Sequence, residues 1–353
     1  MRLYYSSTDA WTAIYEACEQ AKNSISLEEY IFRDDSVGSR LLDILMAKSR
    51  AGVRVRLLLD AFGSRRMRQN AIVADLKAAG VKLVFFRPMN LVQRMVPPLG
   101  LPRDHAKALH IDGTTCFIGS MGLAQHMAGW RDTLVMLQGK VAQHALADFD
   151  RVWCREAFNL GYPPNACTGA SEAEPDHFVA QIPEFKTNTI RELLLSKIAA
   201  AQQSILIATP YFFPPQALRR ALLAAHRRGV LVTLMLASRT DVPLADGVTR
   251  ALIKQWRSLG FDVVFYQPEV LHAKYAIIDS VWATVGSCNF DFLSLVYNRE
   301  VNVVLGNQAY VLEFVAQSEI DLGNCAPTPA PASSPNTWDS WIGQIGALVC
   351  RYV

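Results

Sequence analysis

The octapeptide HAKALHID at residues 105–112 returns as HAKYAIID at 272–279, and this repetition limits the fold more than any other feature of the chain. His105, Lys107 and Asp112 of the first copy correspond to His272, Lys274 and Asp279 of the second. Each copy then runs on to a Gly-Ser pair, at Ser120 and Ser287. Position 272 lies 167 beyond 105, and 287 lies 167 beyond 120, so the copies keep one register. A lone HxKxxxxD would fit a strand with an incidental histidine. Two in register mark a duplicated unit, and the chain is read as two similar halves. Its 353 residues, 51% of them apolar, suffice for two cores of ordinary size.

Both halves show the same order of patterns. In the first, SISLEEYIF (24–32) reads as a strand, VGSRLLDILMAKSRAG as a helix with Leu41, Leu42, Ile44 and Leu45 on one side, and VRVRLLLD (53–60) as a second strand. A helical QNAIVADLKAAG leads into the strand VKLVFF. After residue 190 helices and strands alternate again, through SILIATP, VLVTLMLA and FDVVFYQP. The expected fold is α/β, with each half a mixed, mostly parallel sheet flanked by helices and the halves related by a pseudo-twofold axis. The expected boundaries are 1–160 and 181–322 for the halves, with 161–180 as a connection rich in Pro, Gly and small residues. Residues 323–353 read as a Pro/Ala/Ser linker followed by an amphipathic segment. There Trp338, Trp341, Ile342, Ile345, Leu348 and Val349 share one helical face, suited either to docking on the protein body or to an interfacial anchor.

Composition narrows the partners. A net charge of +3, with Lys and Arg dispersed, does not favour nucleic acid, although Arg54, Arg56, Arg65, Arg66 and Arg68 form a local basic group. The seven cysteines include no CxxC pair or metal-like spacing with histidine, which suggests reduced thiols in a cytoplasmic setting, with Cys116 and Cys154 as core fillers. No secretory pattern opens the chain and no run approaches the roughly 20 apolar residues of a membrane span, so a soluble or peripheral protein is expected.

On an extended segment alternate side chains share a face, so the His and Lys of each motif point the same way. A pseudo-twofold axis then brings two histidines and two lysines to one cleft. Two ammonium groups trap an anion, and two imidazoles suit nucleophilic and acid/base work near neutral pH. A phosphoryl group fits that set. The lysines supply the positive charge, and no carboxylate cluster of metal-ligand type appears, so neither metal nor other cofactor is expected.

These paired HxKxxxxD…GS motifs resemble those of the phospholipase D superfamily. Within it, residues 27–64, WRDTLVML (130–137), YFFPPQALRRAL (211–222) and 271–304 are similar to bacterial cardiolipin synthases. The resemblance spans nearly all of residues 20–320. It implies a covalent phosphohistidine formed without metal, with His105 as nucleophile and His272 as acid/base, although the residues themselves are symmetric on this point. Lys107 and Lys274 would hold the phosphoryl oxygens. Ser120, Ser287 and Asn289 would add hydrogen bonds around the phosphate or the histidines. Asp132 and Glu300, 12 and 13 residues beyond the two serines, match the acids that orient the histidine rings. Asp112 and Asp279 belong to the motif as candidate catalytic members, but read better as residues that tie down neighbouring backbone.

The activity implied is condensation of two phosphatidylglycerols into cardiolipin and glycerol, through a phosphatidyl-histidine. An anionic phospholipid would be the partner, at the inner surface of the plasma membrane. Hydrolysis or transphosphatidylation of another lipid is the near alternative, a nuclease of the same superfamily the distant one, and a non-catalytic scaffold is disfavoured by two complete motifs. The oligomeric state is open. The halves also differ: Gly122 stands where the second half has Asn289. Cys288 sits between two candidate residues, and His110 and His126 have no counterparts in the second copy. The apolar stretch of Met89, Leu91, Val92, Met95, Val96 and Leu99 precedes the first motif as a lipid-contacting rim or a buried loop.

Overall fold

A computed structural model describes residues 1–88, 102–158, 175–181, 188–240 and 242–329. The apolar stretch from Met89 to Leu99, most of the connection between the halves, and the Trp-bearing carboxyl-terminal segment lie outside the described residues.

The first half is a seven-stranded sheet in the order β1-β7-β6-β5-β2-β3-β4. Its strands are β1 (Arg2–Ser6), β2 (Ser24–Glu29), β3 (Arg54–Asp60), β4 (Lys82–Phe86), β5 (Ala108–Ile111), β6 (Thr115–Gly119) and β7 (Arg131–Gln138). The second half contributes β8 (His177–Gln181), β9 (Ser204–Thr209), β11 (Leu231–Ala237), β12 (Asp262–Tyr266), β13 (Tyr275–Ile278), β14 (Trp282–Gly286) and β16 (Glu300–Leu305), with β10 (Phe212–Phe213), β15 (Phe290–Asp291) and β17 (Cys325–Ala326) as short additions. Its main sheet runs β8-β16-β14-β13-β9-β11-β12, matching the first strand for strand, and β17 extends the β12 edge.

Two features differ from the sequence-based expectation. Within the two main sheets parallel pairing is confined to β2-β3-β4 and β9-β11-β12, whereas the motif strands and their neighbours pair antiparallel, so neither sheet is mostly parallel. The reason is local. A parallel neighbour needs a long crossover, but each motif strand returns through a turn of three residues. In addition, β8 pairs with β16, which corrects the expected connection: it ends before His177 rather than at 180.

The helices form where the apolar spacing indicated. Ser36–Arg50 buries Val37, Leu41, Leu42, Leu45 and Met46 along one stripe, and the Asp35 carboxylate caps it by accepting from the Val37 and Gly38 N–H groups. Gly52, at φ +90°, turns the chain into β3. Leu45 is fully buried, and its truncation to Ala would cost roughly 2–5 kcal/mol.

Each half keeps its own core on the outer face of its sheet. The inner faces pack against each other through Ala108, Ile118 and Val135 from one half and Ala208, Tyr275, Val285 and Val301 from the other. Helix Lys140–Phe158 covers the rest of the first inner face, through Phe149, Val152 and Trp153 on Leu58 and Val84. Helix Gln308–Gly323 does the same for the second, through Val311 and Phe314. Small residues dominate where the motif strands meet: Ala106, Ala108, Ala208 and Ala273 let the two backbones approach closely.

Candidate active site

Each motif segment enters its sheet beside the strand-start of the opposite half. The backbone N–H of His105 donates to Arg299 O at 3.0 Å, and that of His272 to Arg131 O at 2.8 Å. Arg131 and Arg299 each stand directly before an acid, Asp132 and Glu300. The exchange therefore places the acid of one half on the histidine of the other. His105 Nδ1 lies 3.0 Å from Glu300 Oε1, and His272 Nδ1 lies 2.7 Å from Asp132 Oδ2. Behind each acid stands the serine of its own half: Ser120 Oγ donates to Asp132, and Ser287 Oγ to Glu300 Oε2 at 2.5 Å. The serines thus orient the acids.

This arrangement fixes the tautomer. An acid at Nδ1 holds the ring proton there and leaves Nε2 as the reactive atom. Burial lowers the pKa of His105 to about 4, with Lys107 and Lys274 adding to the effect against the opposing pull of Glu300, so the ring is neutral at pH 7. Burial would raise Asp132, but the His272 ring, Lys274 and the Ser120 hydroxyl overcome it and hold the carboxyl at about 2. Lys274 of the second half thus lies near enough to both His105 and Asp132 of the first to act on each.

Lys107 Nζ donates to His105 O at 3.2 Å and Lys274 Nζ to His272 O at 2.5 Å, which tethers both ammonium groups beside the imidazoles. Both lysines are buried. Aromatic rings wall the histidines: Tyr30 meets His105 at 5.0 Å between centroids, and Trp130 meets His272 at 5.3 Å. Asn289 is buried, and its Oδ1 has no hydrogen-bond partner among the described residues. Gly122, its counterpart, is held small by packing, because a Cβ there would meet Met127 Sδ at 2.5 Å. Among the described residues no group of three or more His, Cys, Asp or Glu is placed to hold a metal ion.

Asp112 and Asp279 stand apart from this site, which corrects their placement among the candidate catalytic residues. Four strand residues, a rise of roughly 13 Å, separate Asp112 from Lys107. Asp112 accepts from the N–H groups of Lys22, Asn23 and Ser24 at 2.9, 2.7 and 2.8 Å. Asp279 accepts from those of Gln202, Gln203 and Ser204 at 2.8, 2.7 and 2.9 Å. Each anchors the start of the strand that its motif strand pairs with. His110 is also remote, sealed against Phe149, whereas His126 is separated from His272 by the Trp130 ring. Cys288 is buried, and burial pushes its thiol well above the usual range. The basic group divides: Arg54 opens β3, Arg56 is buried on Asp150, and Arg65, Arg66 and Arg68 lie beyond the other end of the strand. No continuous basic groove forms from these five.

The sequence reasoning missed Arg131 and Arg299. The arginines lock the halves together: Arg131 binds Asp321, and Arg299 binds Glu28 and Asp148, all buried. Their signal was an Arg before the acid in both WRDT and YNREVN.

The family model described as "Cardiolipin synthase, PLD-like domain" matches residues 14–153 and 194–321. The chain belongs to this family. Among curated relatives of this cardiolipin synthase-like chain, cardiolipin synthase 2 of Bacillus cereus is 32% identical over 336 residues, covering 91% of the chain and 64% of the relative. A probable cardiolipin synthase of Bacillus subtilis is 32% identical over 338 residues, covering 91% and 66%. The chain thus spans just under two thirds of the length of these relatives. In fold it is similar to phosphatidylserine synthase of Haemophilus influenzae, with a TM-score of 0.73 at 14% identity over 99% of this chain and 93% of that one. Polyphosphate kinase of Porphyromonas gingivalis gives 0.64 at 13% identity, over 100% of this chain and 53% of that one. The duplicated α/β architecture is therefore that of the phospholipase D superfamily.

Proposed function

We propose that the protein is a phosphatidyltransferase that condenses two phosphatidylglycerols into cardiolipin and glycerol. The observation that carries this reading is the crossed pair of histidine–acid contacts, which binds each ring to its acid through Nδ1 beside two lysines. Its support for lipid substrates comes from the cardiolipin synthases that the chain resembles.

His105, neutral at pH 7 and oriented by Glu300, attacks phosphorus through Nε2. The P–N bond forms as the P–O bond to glycerol breaks, and His272, as imidazolium beside the ionised Asp132, gives its proton to the departing oxygen. In the second step the hydroxyl of another phosphatidylglycerol passes its proton to His272 and attacks phosphorus, which breaks the P–N bond. Lys107, Lys274 and Asn289 hold the phosphoryl oxygens as charge builds on them. No step is assigned to a metal. Tyr30 and Trp130 help exclude water, which favours transfer over hydrolysis.

The substrate places the protein at a bilayer surface, as a peripheral protein on the cytoplasmic face of the plasma membrane. Among the described residues no helix is long and apolar enough to cross a membrane. Exposed Phe62, Leu293 and Tyr297, in segments that follow the site-bearing ends of β3 and β15, offer apolar contact there.

Incubation with phosphatidylglycerol in mixed micelles, with a chelator present, tests the reading. Cardiolipin and glycerol should rise together by mass spectrometry and vanish in His105→Ala and His272→Ala. Phosphatidic acid alone would make the protein a hydrolase, and no lipid turnover would overturn the proposal.

A further inference from the structure

One difference between the two halves lies directly beside the paired lysines. β2 pairs antiparallel with β5, with Glu28 opposite Ala108, so the next position of this register sets Glu29 opposite Lys107. In the second half Ala208 faces Tyr275, so the next position sets Thr209 opposite Lys274. Directly opposed residues share a face of the sheet and have Cβ atoms roughly 5 Å apart. Hence one lysine has a carboxyl as its cross-strand neighbour and the other a hydroxyl. That hydroxyl is already engaged, because Thr209 Oγ1 donates to Tyr211 O at 3.0 Å and accepts from Phe290 N–H. Glu29 is used only in part. Its Oε1 accepts from its neighbour Tyr30 N–H at 3.1 Å and the Ile31 N–H also bonds the carboxyl, while no ion pair to Lys107 forms among the described residues.

Building on the phosphoryl-transfer reading, we propose that Glu29 is a further phosphate-contacting residue, donating from its carboxyl to the phosphoryl oxygens that Lys107 holds. Glu29 is 2% exposed, and burial raises its pKa to about 8. Lys107 on the motif segment pulls the pKa down, whereas Asp132 at the start of β7 pushes it up. At pH 7 the group is therefore a neutral acid. A protonated carboxyl keeps lone pairs to accept from the Tyr30 and Ile31 N–H groups, and its O–H remains to be given to an anion. A bound phosphodiester adds negative charge nearby and strengthens that protonated state. The first-half subsite then offers an ammonium and an acid O–H, where the second offers an ammonium and the Asn289 amide. Above pH 8 the ionised carboxylate would repel the phosphate and compete for Lys107.

The test uses the full chain, with kcat followed from pH 6 to 10 on phosphatidylglycerol and on bis(4-nitrophenyl) phosphate. Wild type should lose activity on an alkaline limb centred near 8. Glu29→Gln, whose amide also donates, should keep kcat within about threefold at pH 7 and lose that limb, whereas Glu29→Leu should lose about 10²-fold in kcat. Should Glu29→Leu fail to fold, the Gln variant decides. An unchanged limb in Glu29→Gln, or wild-type kcat in a folded Glu29→Leu, overturns the proposal. Turnover of the chromogenic ester without lipid transfer defeats the transferase reading and leaves this comparison intact. Sulfate binding by calorimetry at pH 7 and 9 gives a readout without turnover: affinity should fall at pH 9 in wild type and hold in Glu29→Gln, and equal affinity losses in both would refute it.

Discussion

Two histidines of this chain are buried in the neutral form. His105 does so in the site, while His110 does so beneath it, with neither ring nitrogen hydrogen-bonded among the described residues. Burial lowers the pKa of His110 to about 3, whereas an unfolded histidine titrates near 6.5. Between these values the unfolded chain binds the extra proton, so this contribution to stability is complete above about pH 6.5 and falls by about 1.4 kcal/mol per unit as the pH drops. Glu29 and Asp291, raised to about 8 and about 6, act in the opposite direction, since they are protonated in the fold before they are in the unfolded chain. A variant comparison cancels them. Replacing His110 with Phe should therefore flatten the dependence. Measured by urea denaturation, the stability of wild type relative to His110→Phe should decline by about 3 kcal/mol between pH 7 and 4.5. An unchanged difference would mean that His110 finds a proton-stabilising partner in the fold.

The hairpin that closes each motif strand is the element in which chemistry and architecture separate. Asp112 and Asp279 sit at φ +52° and +53°, followed by Gly113 and Ser280, also at positive φ. Two successive positive φ values are what a type I′ turn demands, and Asp tolerates that conformation better than most residues. The carboxylate then reaches across to three backbone N–H groups of the neighbouring segment. Asp112→Ala should lose these bonds and strain the turn, lowering stability by about 1–3 kcal/mol, with kcat at 25 °C within about threefold of wild type. Loss of kcat at unchanged melting temperature would return Asp112 to the site. Much of this element level was legible beforehand. Strand and helix positions followed from spacing, and the two acids came from the resemblance to the phospholipase D superfamily. The antiparallel motif hairpins were hidden because a run such as YAII reads alike in either pairing. Glu29 escaped because it lies far from Lys107 along the chain, in an ordinary apolar strand, and has no acidic counterpart in the second half.

At the scale of the molecule, the decisive property is exchange. Neither half holds a complete histidine–acid pair, since each ring meets the acid of the other: Glu300 for His105 and Asp132 for His272. No spacing within one half could reveal that crossing, which depends on how the inner faces meet. The interface is built to be permanent. Arg299 and Arg131 bury their charge against carboxylates across it, and removing either would strand those carboxylates at a cost of about 3–5 kcal/mol. Because both contributors lie on one chain, the site is completed within a single molecule. Mixing folded His105→Ala with folded His272→Ala should consequently restore no activity, even after prolonged incubation, since every molecule lacks one ring. Unfolding the mixture together and refolding it should also leave it inactive, because intramolecular pairing of covalently linked halves outcompetes exchange between chains. Recovery toward a quarter or a half of wild-type turnover would show instead that halves swap between molecules, and that the functional unit is a domain-exchanged dimer.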